Sequence, residues 1–181
     1  MQTVIALVGK IGSGKDEAAT YLSKKLGWPV FKISDPLKQE LKRQGREVNR
    51  ENLATLGTTW SRQKGDDYLV RLALKKYRGN LILSGPRQLG QIEYLKNHTK
   101  LILVAIDASD QTRFERVCAR GTVKEAQDLD AFIKEEIEND ASDGANQVIE
   151  CIAQASYRAT NSASLAKLHR ELDKIVKLEN L

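Results

Sequence analysis

A run of glycines followed by a lysine, "GKIGSGKD" at residues 9–16, has the residue types and spacing of a phosphate-binding loop. The glycines let successive backbone N–H groups point at one anion without a side chain in the way. Lys15 follows at the position from which an ammonium contacts the β- and γ-phosphates of a nucleotide. The pattern predicts a nucleotide-phosphate site, and its expected contacts are Gly9, Ile11, Gly12, Ser13, Gly14, Lys15 and Asp16.

Asp16 stands where such loops normally carry the Ser or Thr that binds Mg²⁺. Its carboxylate would reach the metal or a metal-bound water, because Mg²⁺ prefers oxygen ligands and keeps several waters. The alternative is that Asp16 serves only the helix that follows, since an acid in the first turn is favourable at the positive end of the helix dipole.

The segment "LILSGPRQLGQIEYL" resembles the D-G-x-R or D-G-F-P-R segment of nucleoside monophosphate kinases, with Ser84 in place of their acid. That acid holds Mg²⁺ through water. We therefore hypothesise that Asp16 supplies the carboxylate and Ser84 the hydroxyl of one metal site; the alternative is that Ser84 only caps the strand. Arg87 would lie outside the carboxyl end of this strand and bind an acceptor phosphate or carboxylate. Its alternative is an exposed surface arginine.

Short apolar runs alternate with helical patterns along the chain. Strands are expected at residues 3–8, 29–33, 81–84, 101–106 and 156–160. Helices are expected at 15–26, 36–44, about 50–77 with a break near Gly65, 89–97, from Thr112 onward and about 164–178. Three of the strand runs are continuously apolar, as strands of a parallel sheet are when both faces are buried. The alternation predicts an α/β sandwich with right-handed crossovers.

The composition is that of an ordinary globular chain, with 181 residues, 41% apolar and 29% charged. This length fits a single domain over 1–181. No apolar run approaches the ~18 residues needed to span a bilayer, and we expect no signal peptide. Cys118 and Cys151 lack metal-site spacing and suit a reducing compartment. A cytoplasmic location without a membrane partner is therefore expected.

The charge is unevenly distributed along the chain. Residues 1–100 carry 19 Lys/Arg and 9 Asp/Glu, whereas residues 101–181 carry 10 and 15. A basic half fits anionic ligands, either nucleotide phosphates or a nucleic-acid backbone. No basic motif with interleaved aromatic residues accompanies the charge, so a nucleic-acid partner is not expected.

The order of several segments resembles a group of small P-loop kinases. The segments are "VGKIGSGKDEAATYL", "ISDPLKQEL", "RENLATLGT", "LILSGPRQLGQIEYL", "IDASDQTRFERVCARG" and "ASYRATNSASLAKL". The group includes dephospho-CoA kinases, adenylate- and cytidylate-kinase-like proteins and phage-type deoxynucleoside monophosphate kinases, and two segments also resemble animal-type phosphomevalonate kinase. The resemblance implies a three-layer P-loop NTPase sandwich around a five-stranded parallel sheet of nucleotide-kinase type. A helical lid or peripheral helices would occupy about 113–145.

The resemblance also implies an acceptor site. Asp35 resembles the acid that orients or deprotonates an acceptor hydroxyl in dephospho-CoA kinases, although Asp35-Pro36 is equally a standard helix start. Lys38 would touch an anionic acceptor or simply be solvated. Arg62 falls in the region that these kinases use to hold the acceptor.

Arg113, Arg116 and Arg120 share one helix face by their spacing, which fits a lid that brings arginines onto the transferring phosphoryl group. The competing interpretation is a solvated helix with surface ion pairs. Asn161 begins the loop that packs beside the nucleotide base in these kinases. Its usual glycine is Ala163 here.

The sequence therefore favours a Mg-ATP-dependent kinase with a small nucleotide-like acceptor, either dephospho-CoA or a nucleoside or deoxynucleoside monophosphate. Its oligomeric state is expected to be a monomer or a weak homo-oligomer. Two alternatives stay open. One is a nucleotide-binding regulator or degenerate kinase without transfer activity. The other is a nucleic-acid-stimulated NTPase.

Overall fold

Five parallel strands form one sheet in the order β2-β3-β1-β4-β5. The strands are β1 (Thr3–Val8), β2 (Val30–Lys32), β3 (Leu81–Ser84), β4 (Lys100–Asp107) and β5 (Tyr157–Thr160). The computed structural model describes residues 1–121, 128–141 and 147–181. The expected α/β sandwich with a five-stranded parallel sheet is confirmed.

Helices cover both faces of the sheet. They are α1 (Lys15–Leu26), α2 (Ser34–Arg43), α3 (Arg50–Lys64), α4 (Tyr68–Lys76), α5 (Leu89–His98), α6 (Asp110–Ala119), α7 (Leu129–Ala141), α8 (Val148–Ala153) and α9 (Leu165–Leu178). Alternate residues of β1 point to opposite faces, with Val4 in one apolar cluster and Ile5 in the other. The first cluster includes residues of α2 to α5 and α8, and the second includes residues of α1 and α9.

Two helices begin earlier than the sequence pattern indicated. Helix α2 begins at Ser34, so Asp35 lies inside its first turn and the interpretation of Asp35 as the N-cap is wrong. Helix α6 begins at Asp110 rather than Thr112, because the Ser109 side chain caps it by accepting a hydrogen bond from the Thr112 backbone N–H.

The topology places the phosphate loop at the point where the strand order reverses. The chain runs from β1 to β2 on one side of the sheet and later to β4 and β5 on the other. Ligands of open α/β sheets bind in the crevice outside the carboxyl ends of the strands at such a point. The carboxyl ends of β1, β2 and β3 therefore meet at one edge and carry the candidate site.

The lid expected over about 113–145 falls partly on described structure. Helix α6 and helix α7 belong to it, whereas residues 122–127 and 142–145 lie outside the described residues. Its role as a lid stays a prediction, as does the single-domain boundary. Each helix in the described ranges is too short or too polar to cross a lipid bilayer.

Candidate active site

The loop between β1 and α1 has backbone positions that only glycine fits. Gly9 has φ 155°, and a Cβ there would lie 2.3 Å from the backbone oxygen of Ile106. Gly12 has φ 77°, and its Cβ would lie 2.7 Å from the backbone oxygen of Arg113. Both neighbours are main-chain atoms of elements packed against the loop. The close approach of β4 and α6 thus requires these glycines.

Lys15 folds back over the phosphate loop. Its Nζ donates to the backbone oxygens of Gly9 at 2.6 Å and Lys10 at 2.8 Å. Burial, followed by the positive charge of Arg87, lowers the pKa of Lys15 from its ordinary 10.5 to about 7. An arriving polyanion would supply the missing negative charge, so the loop is electrostatically prepared for phosphate.

Arg113 stabilises the loop from behind instead of facing the cleft. It is fully buried, and its guanidinium donates to the backbone oxygen of Ile11 at 3.0 Å. The same guanidinium forms ion pairs with Asp110 and Glu136, each at 2.6 Å. The expectation of a shared arginine face directed at phosphate is wrong for Arg113, and so is the solvated-helix alternative, because tertiary packing turns this side chain inward.

Asn161 and Arg116 hold the other flank of the loop. The Asn161 side chain is buried, and its Nδ2 donates to the Ser13 backbone oxygen at 2.9 Å. Arg116 donates to the backbone oxygens of Asn161 at 2.8 Å and Gly12 at 3.3 Å. These contacts join the loop after β5 to the phosphate loop. A direct role of Asn161 or Arg116 toward nucleotide stays a prediction.

Asp16 and Ser84, the two candidate metal ligands, lie side by side. The Ser84 hydroxyl donates to Asp16 Oδ1 at 3.4 Å, which is a long hydrogen bond. The described residues contain no group of three or more His, Cys, Asp or Glu that could form a protein-only metal cage. Mg²⁺ needs less than that when phosphates and waters complete its shell, and one carboxylate with one hydroxyl fits such a site. The proposed exchange is therefore sterically consistent, and metal binding stays a prediction.

A cleft of about 550 Å³ opens beside Lys15, between the sheet edge and α2 to α4. Its lining includes the cationic residues Lys15, Lys32, Arg62, Arg87 and Arg120. Asp16 is the one acid among the described lining residues. The wall also includes polar Thr55, Thr58 and Gln91 and apolar Leu37 and Leu53. The cleft therefore fits an anionic small molecule with an apolar or neutral body.

Arg87 is exposed at the mouth of this cleft, directly after β3. Arg87 also lines a smaller cavity of about 140 Å³, together with Lys15, Arg50 and Glu136. Both cavities therefore place arginine side chains next to Lys15 of the phosphate loop.

Asp35 and Lys38 are not among the residues that line the cleft. Lys38 Nζ lies 3.7 Å from Asp35 Oδ1, one helical turn away on α2. Both side chains are about half exposed. Their expected roles toward an acceptor stay predictions, and the described lining gives them no support.

A hydrogen-bonded chain behind Arg87 was not anticipated from the sequence. The Arg87 backbone N–H donates to Gln91 Oε1 at 2.8 Å, and Gln91 Nε2 donates to Gln88 Oε1 at 2.9 Å. Gln88 Nε2 donates in turn to Ser61 Oγ at 3.0 Å, and Ser61 donates to Asp66. Both glutamine side chains are buried. The spacing of the two glutamines after "SGPR" is a local pattern in the sequence. Their partners Ser61 and Asp66 are distant in sequence, and no pattern predicts those contacts.

Lys32 is a further residue whose place in the site was not expected from the sequence. Its Nζ lies 3.2 Å from Asp16 Oδ2, and it lines the cleft. The contact depends on the pairing of β2 with β3, which places Lys32 opposite Ser84. No local pattern in "PVFKI" indicates that pairing.

The relatives match nearly the whole chain in sequence, and the structural neighbours share its architecture. A UPF0200 protein of Methanococcus vannielii is 31% identical over 181 residues, covering 96% of this chain and 95% of the relative. The UPF0200 protein of Methanocaldococcus jannaschii is 28% identical, covering 98% and 92%. Shikimate kinase from Bacteroides thetaiotaomicron covers 99% of both chains with a TM-score of 0.69 at 15% identity.

A second structural neighbour, deoxyadenosine kinase from M. mycoides, has a TM-score of 0.51 at 18% identity, covering 98% of this chain and all of the other. At these identities the neighbours show the fold, which is that of P-loop kinases. Residues 5–141 match the family described as an AAA domain. The chain therefore belongs to the UPF0200 proteins and carries a P-loop domain of the AAA-domain family.

Proposed function

We propose that the protein is a Mg-ATP-dependent kinase that transfers the γ-phosphoryl group to a small, anionic, nucleotide-like acceptor. The observation that carries the proposal is the meeting of Lys15, Arg87 and the Asp16–Ser84 pair at the lining of one basic cleft. The kinase-like fold supports phosphoryl transfer as the reaction class.

Positioning and charge neutralisation would provide most of the catalysis. The phosphate loop and the amino terminus of α1 would hold the nucleotide phosphates, and Lys15 would contact the β- and γ-oxygens. Asp16 and Ser84 would hold Mg²⁺, which when bound neutralises charge between the β- and γ-phosphates. Arg87 would align the acceptor anion with the transferred group by a bidentate contact.

Among acceptors, the cleft favours a nucleoside or deoxynucleoside monophosphate over dephospho-CoA. A hydroxyl acceptor needs a base that removes its proton, whereas an acceptor phosphate is already ionised. Asp35, the base suggested by sequence, is not among the lining residues, and Asp16 is committed to the proposed metal site. The basic lining of Lys32, Arg62 and Arg87 fits a phosphate.

A phosphoryl-transfer screen tests the proposal. Purified protein with Mg-ATP would be assayed against all nucleoside and deoxynucleoside monophosphates, dephospho-CoA and phosphomevalonate, with Lys15→Met as the inactive reference. We expect transfer to at least one monophosphate and no transfer by Lys15→Met. Transfer to dephospho-CoA alone would contradict the acceptor assignment, and no transfer at all would contradict the kinase assignment.

One observation favours a second candidate, a nucleotide-binding regulator without transfer activity. Lys32 already neutralises Asp16, and no acid stands at Ser84. Such a protein would bind ATP with little dependence on Mg²⁺. Nucleotide binding that is equally tight in EDTA and in Mg²⁺, together with a negative screen, would support this candidate.

A further inference from the structure

Lys32, Asp16 and Ser84 form a contact row at the carboxyl ends of β2 and β3 and the start of α1. Asp16 Oδ2 faces the Lys32 ammonium at 3.2 Å, and Asp16 Oδ1 faces the Ser84 hydroxyl at 3.4 Å. The two oxygens of one carboxylate therefore have different partners. Lys32 also lines the cleft, and its side chain is 38% exposed.

We propose that Lys32 couples metal binding to acceptor binding. In the metal-free protein its ammonium neutralises Asp16; with Mg²⁺ bound at Asp16, the ammonium turns into the cleft and binds the acceptor anion. The inference rests on the proposed function, because it requires Asp16 to be a metal ligand.

Electrostatics explains why Lys32 would leave Asp16 when the metal binds. A dication held by Asp16 would compete with the Lys32 ammonium for that carboxylate, because the carboxylate carries one negative charge and both competitors are cations. Metal binding would therefore weaken the attraction that holds Lys32 at Asp16. Release is sterically simple, because a lysine carries its charge on a flexible four-carbon chain.

The released Lys32 ammonium can contact an anion bound in the cleft, because Lys32 already lines it. Arg62 and Arg87 line the same space, so an acceptor anion bound there gains a third cation when Lys32 turns inward. Before the metal arrives, the same ammonium is engaged with Asp16 and is less available to the acceptor. Acceptor binding is thus strongest after Mg-nucleotide binding, which disfavours an acceptor complex lacking the phosphoryl donor.

The first test measures the metal effect on nucleotide affinity by calorimetry, with the non-hydrolysable analogue AMP-PNP in EDTA and in saturating Mg²⁺. The Mg²⁺ gain is the ratio of the AMP-PNP affinity in Mg²⁺ to that in EDTA. In Lys32→Gln this gain should be about two- to five-fold larger than in the unaltered protein, because the half-exposed ammonium that competes with Mg²⁺ for Asp16 is gone. Lys32→Arg, which keeps the charge, should keep the original gain. An equal or smaller gain in Lys32→Gln overturns the proposal.

Lys25→Gln is the matched control. Lys25 pairs with Asp173 at 2.9 Å, and its side chain is 39% exposed, close to the 38% of Lys32. It lies near the end of α1, away from the cleft lining. Its variant should leave the Mg²⁺ gain unchanged, and a gain that rises as in Lys32→Gln would overturn the proposal by showing a nonspecific charge effect.

The second test uses inorganic phosphate as the acceptor probe, in thermal-shift titrations with AMP-PNP filling the γ-phosphate position. Mg²⁺ should strengthen phosphate binding several-fold in the unaltered protein, and Lys32→Gln should remove that strengthening. If phosphate affinity is the same with and without Mg²⁺ in both proteins, the coupling through Lys32 is overturned and the proposed function is not. Absence of any Mg²⁺ effect on AMP-PNP binding in the unaltered protein overturns the proposed function as well.

Discussion

The two sides of the candidate site are built differently. The nucleotide side is held by main-chain contacts: Gly9 lies against the backbone of Ile106, and Arg113 donates to the Ile11 carbonyl. The proposed acceptor side is an open cleft lined by charged side chains such as Lys32 and Arg87. Backbone contacts leave little freedom to vary, whereas exposed side chains can be exchanged at small structural cost.

This difference explains why the glycine-rich loop could be predicted from the sequence and the acceptor could not. Substitutions on the nucleotide side should lower the free energy of unfolding. Substitutions on the acceptor side should lower turnover and leave the free energy of unfolding unchanged. Variants on the two sides test this contrast.

Gly9→Ala should remove nucleotide binding. Its Cβ would overlap the Ile106 oxygen at 2.3 Å and force a side chain into positive φ. Overpacking and backbone strain cost about 1–3 kcal/mol each, so the loop should shift to relieve them. ATP binding must then restore the strained conformation, and the affinity measured by calorimetry should fall by ~30- to ~10⁴-fold. Gly79→Ala is the control, because a Cβ there meets nothing within 4 Å. Unchanged affinity in Gly9→Ala would show that the loop adapts more freely than its packing indicates.

Arg113→Met should destabilise the protein by about 3–5 kcal/mol, the cost of leaving one partner of a buried ion pair unpaired. Glu136 would lose both contacts to the guanidinium, and Ile11 would lose its donor. Urea denaturation measures the loss. Arg43→Met removes a similar 2.7 Å ion pair with Glu40 from the surface, where water screens the two charges, and should leave the unfolding free energy nearly unchanged. Equal losses in the two variants would contradict the distinction between buried and exposed pairs.

The role of Arg113 shows where sequence reasoning reaches its limit. Helical spacing placed it correctly on one face with Arg116, but which face meets the phosphate loop depends on the packing of α6 against α7. The glycine-rich loop needed no such information, because strand, loop and helix are contiguous in sequence. Contacts between distant segments, such as Lys32 with Asp16, have no local pattern that reveals them.

Arg87→Met should act on the acceptor side alone. If Arg87 binds the acceptor anion and stabilises developing charge, its loss lowers kcat/KM for the acceptor by about 10²–10³-fold. At pH 6, where Lys15 keeps its proton with or without the charge of Arg87, the KM for ATP and the unfolding free energy should change little. Arg78→Met, an exposed arginine outside the lining, serves as the control in the same steady-state assay. A comparable loss of ATP binding in Arg87→Met would remove the separation between the two sides.

The smallest effect concerns Lys15, where the two sides meet. In the nucleotide-free protein the pKa of Lys15 is lowered to about 7, so the ammonium loses its proton as the pH rises above that value. A bound polyanion raises the pKa again, so binding above pH 7 must take up a proton. ATP affinity should therefore fall by up to ~10-fold per pH unit above 7, because one pKa unit is worth about 1.4 kcal/mol. Calorimetry at pH 8 in buffers of different ionisation enthalpy measures the uptake directly. Lys15→Met should abolish it, and uptake that persists in that variant would assign the proton to another group.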